Sequence, residues 1–117
     1  MKMLDVMVYI SGKYGGETVW DVTNNIHAAE QVLAAMWEAG IPALCPHKNT
    51  AYLDGLLTRN QWIAGDLIML KRCDAIFMLP GWEDSAGACE ERAYALANGI
   101  PIFDDIATLI CWARDVF

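Results

Sequence analysis

Ala75-Ile76-Phe77-Met78-Leu79-Pro80-Gly81-Trp82-Glu83-Asp84-Ser85-Ala86-Gly87-Ala88 changes structural type twice within fourteen residues. Its first five residues are an apolar run that predicts a strand over Ala75–Leu79. Pro80 and Gly81 end that strand. Ser85 has the side chain of a helix N-cap, and a helical pattern runs from it to Asn98-Gly99, a stop signal. Ile100 to Phe103 then reads as another strand. A strand, a helix and a strand in this order predict parallel pairing through a crossover.

The same alternation extends outward. Leu4 to Ile10 and the short Pro42–Cys45 read as earlier strands. Between them a helix capped by Thr23 or Asp21 runs to about Ala39, with Gly40 at its C′ position. A further helix covers about Thr58 to Arg72, and the tail from Ile106 to Val116 is the last. Four strand–helix repeats predict one α/β domain over residues 1–117, three-layered and of the Rossmann or flavodoxin-like kind. Right-handed crossovers give a parallel sheet of about four strands in the order 2-1-3-4, with helices on both faces. In such a sheet the ligand lies beyond the carboxyl ends of the strands, where the order reverses between strands 1 and 3.

Composition narrows the function. At 117 residues and 56% apolar content, the chain is long enough for one core and too apolar for disorder. The net charge of −7 and the scattering of eight Lys and Arg residues disfavour polymeric nucleic acid. A single nucleotide is still compatible, because backbone N–H groups bind phosphate in an acidic protein. Cys45, Cys73, Cys89 and Cys111 form no C-x-x-C pair and read as buried thiols of a reducing cytoplasm. A signal-peptide pattern and a membrane-length apolar run are both missing from the sequence, so no membrane partner is expected.

Two loops meet at the switch point. One is Tyr9-Ile10-Ser11-Gly12-Lys13-Tyr14-Gly15-Gly16, and the other is Pro80 to Ala88. Both contain small residues that permit close backbone approach, and the second opens a helix whose free N–H groups suit an anion. Neither matches a dinucleotide or P-loop fingerprint. In the second long helix, Trp62, Asp66, Leu70 and Cys73 recur at helical spacing. Asp66 therefore stands in an apolar stripe, where an acid is costly unless paired or protonated. Asp74 lies at the opposite end of the sheet and reads as structural. On the third helix, Cys89, Ala93, Leu96 and Ala97 form the main apolar stripe. Glu90 lies at its edge, and Glu91 lies with Ala88 and Ala95 on a small-residue face. Periodicity alone leaves Glu90 and Glu91 undecided.

Tyr9-Ile10-Ser11-Gly12, Asp66, and Ser85-x-Gly87 with Glu91 six residues after the serine resemble the nucleoside 2-deoxyribosyltransferase family. They equally resemble the related 2'-deoxynucleoside 5'-monophosphate N-glycosidases. The resemblance runs from Met7 to Ile102 and includes Ala95, Gly99 and Pro101. It implies Glu91 as the nucleophile, Asp66 as the contact to the leaving base and Tyr9 as the residue that orients Glu91. It puts Ser11, Gly12, Lys13, Ser85 and Gly87 near the 5' end of the sugar, and His47 in the base pocket. Lys13 stands where many relatives carry a smaller residue or proline, and is a candidate phosphate ligand. Trp82 is a candidate to stack on a base. Transferases that take plain nucleosides tend to carry an acid at the Ser85 position, so serine implies 5'-phosphorylated substrates.

The chemistry suits these residue types. A carboxylate attacks the oxocarbenium-like C1' and holds the sugar, as in retaining glycosidases, while a second acid helps the base depart. Water then completes hydrolysis, and a second base completes transfer. No metal or cofactor is required. The expected partners are a small nucleoside or nucleotide and further copies of the chain in a homo-oligomer. The competing readings are a protein that sequesters a nucleotide or nucleotide-derived signal, and another small α/β module such as a flavodoxin-like regulatory domain. The last lacks an acidic phospho-acceptor cluster after strand 1.

Overall fold

The computed structural model describes residues 2–117. The elements are β1 (Val8–Ser11), α1 (Val19–Glu38), β2 (Ala43–Leu44), α2 (Pro46–Asn49), α3 (Arg59–Lys71) and β3 (Ala75–Met78). They continue with a 3₁₀ turn (Trp82–Asp84), α4 (Ala86–Ala97), β4 (Ile102–Phe103) and α5 (Ile106–Val116). All pairings are parallel and the order is β2-β1-β3-β4, as the alternation predicts. Tyr9 registers with Leu44 on one side and Ile76 on the other.

Side chains alternate across the sheet, and this alternation divides the core. Val8, Ile10, Ala75 and Phe77 pack against Ala29 and Met36 of α1 and Leu109 and Ala113 of α5. Tyr9, Ile76 and Met78 face the other way, onto Leu70 of α3 and Ala88 and Ala95 of α4. Ser11 lies two residues beyond Tyr9 and therefore shares its face.

Several boundaries differ from the sequence reading. Leu4 to Met7 is outside the ladder, although Leu4 donates to the Gly40 carbonyl at 2.8 Å. Helix α1 starts before both expected caps. Thr18 is its N-cap, and Asp21 is the third helical residue, whose carboxylate accepts from the Glu17 and Thr18 N–H groups at 3.1 Å. A capping box needs both residues, so the acid alone misplaces the start. Strand β4 begins after Pro101, which has no N–H for a ladder.

Two further expectations are corrected. Cys45 and Cys73 are buried, but Cys89 is only partly covered and Cys111 is exposed on α5. On α4 the stripe of Ala93, Leu96 and Ala97 is exposed, and the small-residue face with Ala88, Glu91 and Ala95 turns inward. Small side chains let α4 approach the sheet closely, which favours that face over the more apolar one. Asp74 is structural as read: it accepts from Met7 N–H at 2.9 Å at the amino end of the sheet. Among the described residues no helix is long and apolar enough to cross a membrane.

Candidate active site

A cavity of about 370 Å³ opens beyond the carboxyl ends of β1 and β3, the place topology specifies. The volume falls within the ordinary range for small-molecule sites. Tyr9, Asp66, Glu91, Gly12, His47, Ser85 and Gly87 all line it.

Glu91 is the centre of the arrangement. It is 6% exposed, although it projects from a helix of an acidic protein. The Tyr9 hydroxyl donates a very short hydrogen bond to one carboxylate oxygen, and the Ser11 hydroxyl donates to the other at 2.7 Å. Both donors come from the same face of β1. Burial pushes the Glu91 carboxyl up to about 7; the two hydroxyls oppose that rise, and nearby Asp66 and Glu90 add to it. Burial likewise raises the Asp66 carboxyl to about 6. Tyr9 is held far above its ordinary value by burial and by the adjacent acids, so it stays protonated and donating. Both carboxyls are thus raised toward neutrality, each chiefly by its own burial. Glu90 lies outside the cavity lining and bonds Arg59 at 2.8 Å, so the two adjacent acids are distinct in setting.

Ser85 caps α4, its Oγ accepting from Ala88 N–H at 3.2 Å. Its own proton is left for a ligand. Gly12 is needed for close approach: a Cβ there would fall 2.7 Å from Leu79 Cδ1 and 2.8 Å from Leu79 Cβ. His47 is buried, with Nε2 bonded to the Lys13 carbonyl at 2.9 Å, and burial lowers its pKa, so the ring is neutral.

Three expected substrate contacts are placed differently. Ser11 is buried in β1 and holds the Glu91 carboxylate rather than reaching into the loop. The exposed Lys13 does not line the cavity; only its carbonyl is engaged, by His47. Trp82 belongs to the core layer under α4 and stacks with the Arg92 guanidinium 4.9 Å from its ring centre, away from the cavity. Strand alternation pairs Ser11 with Tyr9 and is the signal for its position.

Other lining residues were not singled out. Tyr14 donates to Asp54 at 2.9 Å and accepts the Tyr52 N–H at 2.7 Å, which ties the 50–58 segment to the loop after β1. Arg59, in the first turn of α3, lines the cavity, as do Thr50 and Ile63. Trp62 lines it too, and its indole N–H is buried without a partner among the described residues.

A family model described as "Domain of unknown function (DUF4406)" matches residues 6–104. No curated protein matches the chain. The solution structure of BlsM is similar with a TM-score of 0.63 and 19% identity over 82% of this chain and 62% of BlsM. A conserved protein from Enterococcus faecalis V583 gives 0.59 and 24%, over 83% of this chain and 60% of that one. The chain thus spans about three-fifths of the length of these two. A 2-deoxyribosyltransferase from Bacillus psychrosaccharolyticus gives 0.55 and 20%, over 92% and 81%. The fold is therefore nucleoside 2-deoxyribosyltransferase-like.

Proposed function

The chain belongs to the DUF4406 family, and we propose that it cleaves the N-glycosidic bond of a nucleoside or nucleoside 5'-monophosphate. The observation that carries this reading is the buried Glu91 carboxylate, held by Tyr9 and Ser11 at the cavity wall with Asp66 beside it. Each Glu91 oxygen accepts one hydroxyl and keeps a lone pair. One oxygen attacks C1' as the bond from C1' to the base nitrogen breaks, and the electron pair of that bond leaves with the base. Asp66, when protonated, donates its proton to the departing base. The sugar is then an ester on Glu91. Water or a second base attacks C1' and gives its proton to the Asp66 carboxylate, the ester bond breaks with its electron pair going to Glu91, and both acids return to their starting states.

The remaining assignments extend this reading along the cavity. His47 and Trp62 line the base side, and the α4 N-terminus with Ser85 and Gly87 receives the 5' end. A phosphate there is favoured by the helix N-terminus and by the Ser85 hydroxyl, so 5'-phosphorylated substrates are preferred. The protein acts in the cytoplasm as a homo-oligomer and uses no metal or cofactor.

The test is release of free base from a panel of nucleosides and nucleoside 5'-monophosphates. Glu91→Gln folds but loses several orders of magnitude of rate, the usual cost of removing a covalent nucleophile. Asp66→Asn falls between Glu91→Gln and wild type, and matters less with a base that departs easily. A 2-fluoro-2-deoxy analogue adds one sugar mass to the peptide containing Glu91. Wild-type rates in Glu91→Gln, or the label on Glu90, would refute the assignment. Tight nucleotide binding with no base released from any substrate would replace it with the sequestering reading.

A further inference from the structure

The preference for phosphate has an unresolved electrostatic problem. Asp54, Asp66 and Glu91 all line the cavity, whereas the lysine expected to balance a phosphate lies outside it. Among the described lining residues, Arg59 and His47 are the basic ones, and burial keeps His47 neutral. Arg59 is therefore the one fixed positive charge at the cavity wall.

Its position is next to the 5' end of the site. Helices α3 and α4 both begin at the carboxyl edge of the sheet, and the first turn of α4 meets the second turn of α3. A Cβ on Gly87 would lie 3.4 Å from Ile63 Cδ1 and 4.0 Å from Ser85 Oγ. Ile63 is one helical turn after Arg59, and Glu90 is nearly one turn after Gly87. The Arg59 guanidinium reaches Glu90 at 2.8 Å along this seam, with both side chains about half exposed.

We propose that Arg59 is the cationic arm of the phosphate subsite, parked on Glu90 in the free protein and transferred to the ligand's phosphate on binding. This rests on the phosphate-preferring reading of the site. A guanidinium carries five N–H donors, and Glu90 is its one hydrogen-bond acceptor among the described residues. An exposed ion pair is weak, so exchanging it for a phosphate costs little. A guanidinium meets phosphate through two parallel hydrogen bonds, which the flexible lysine does not reproduce. Glu90 thereby acquires a role: it holds the arm in reach of the cavity and competes with the ligand for it.

The experiment is calorimetric binding of a 2'-deoxy C-nucleoside, whose carbon–carbon glycosidic bond is not cleaved, and of its 5'-monophosphate to the full chain. The wild type binds the monophosphate more tightly. Arg59→Gln loses about 10- to 100-fold in monophosphate affinity, the range for one charge-assisted hydrogen bond, while nucleoside affinity holds. Arg59→Lys recovers part of the loss. Glu90→Gln moves the other way and tightens monophosphate binding about 2- to 5-fold, because the competitor is gone. Arg114→Gln, which removes an equal charge on α5, leaves the preference unchanged. Equal loss of both ligands in Arg59→Gln, weaker monophosphate binding in Glu90→Gln, or a loss that follows Lys13→Gln instead overturns the proposal. So does a wild type with no preference. Affinity decides this question and base release decides the glycosidase reading, so failure of one is distinguishable from failure of the other.

Discussion

Glu91 and Asp66 are acids that the fold prefers to keep protonated. Burial lifts Glu91 from an ordinary 4.5 to about 7 and Asp66 from 3.8 to about 6. The folded chain thus holds these protons more tightly than the unfolded chain. The resulting stabilisation is fully present below the ordinary values and is lost as pH rises through the folded ones. Wild-type stability therefore declines between about pH 4.5 and 7 from this source. Glu91→Gln keeps one acceptor oxygen and turns the other position into a donor, as protonation of Glu91 does, so one hydroxyl must rotate to accept; the variant has no charge to bury. Its melting temperature matches wild type near pH 4 and exceeds it at pH 8, by several degrees for a domain of this size. Thermal melts at both pH values check this, and an equal offset at both would mean that Glu91 does not titrate with folding. At this scale the sequence was informative about Asp66, because an acid in a helical apolar stripe is conspicuous. It was silent on Glu91 against Glu90, because the inward face of α4 is lined by alanines, which carry little hydrophobic signal. Ser11 was misjudged for a related reason: a serine beside glycines reads as loop, and its place on the Tyr9 face depends on where the strand ends.

At the scale of elements, the long helices and the strand order were legible, and the shortest pieces were not. Helix α2 and the 3₁₀ turn have four and three residues, too few to show a period. They matter to the site, because α2 brings His47 to the cavity and the turn leads into Ser85. Two phenols anchor the segment between α2 and α3: the Tyr52 hydroxyl bonds Thr23 Oγ1 of α1 at 2.7 Å, and Tyr14 ties it to the loop after β1. Tyr14 bonds Asp54 and Tyr52 together, and Tyr52 adopts a left-handed φ of 62°, which a non-glycine residue does not favour. Tyr14→Phe keeps the ring beside His47 and removes both bonds. Residues 50–56 then exchange their amide protons roughly 10-fold faster, as expected for loss of one to two net hydrogen bonds. Ligand affinity falls several-fold with the fold intact. Unchanged exchange at Tyr52 would show that the segment is held by its packing instead.

For the molecule as a whole, several large apolar side chains stay on the surface. Val19, Trp20, Leu56, Ile68 and Leu96 are all exposed, on helices α1, α3 and α4 and on the segment before α3. Apolar side chains left outside are available for contact with further copies, and the chain is expected to associate with itself. Light scattering at micromolar concentration should give a multiple of 13.0 kDa, and Leu96→Arg should shift the population toward the single chain if α4 is part of the contact. A single 13.0 kDa species in the wild type counts against self-association. The apolar content was visible from composition, but which residues stay outside depends on the close approach of α4. One contact has a consequence in time. The hydroxyls of Tyr9 and Ser11 belong to the first strand, and the carboxylate they hold is 82 and 80 residues further along. Contacts that distant close late, after nearer ones have paid the entropy of the loop. During synthesis the chain emerges hydroxyls first, and its acid is still inside the ribosome when β1 and β2 are already able to pair. Until α4 docks, no partially made chain has Glu91 seated on Tyr9 and Ser11, so this wall of the cavity is among the last parts of the fold to form.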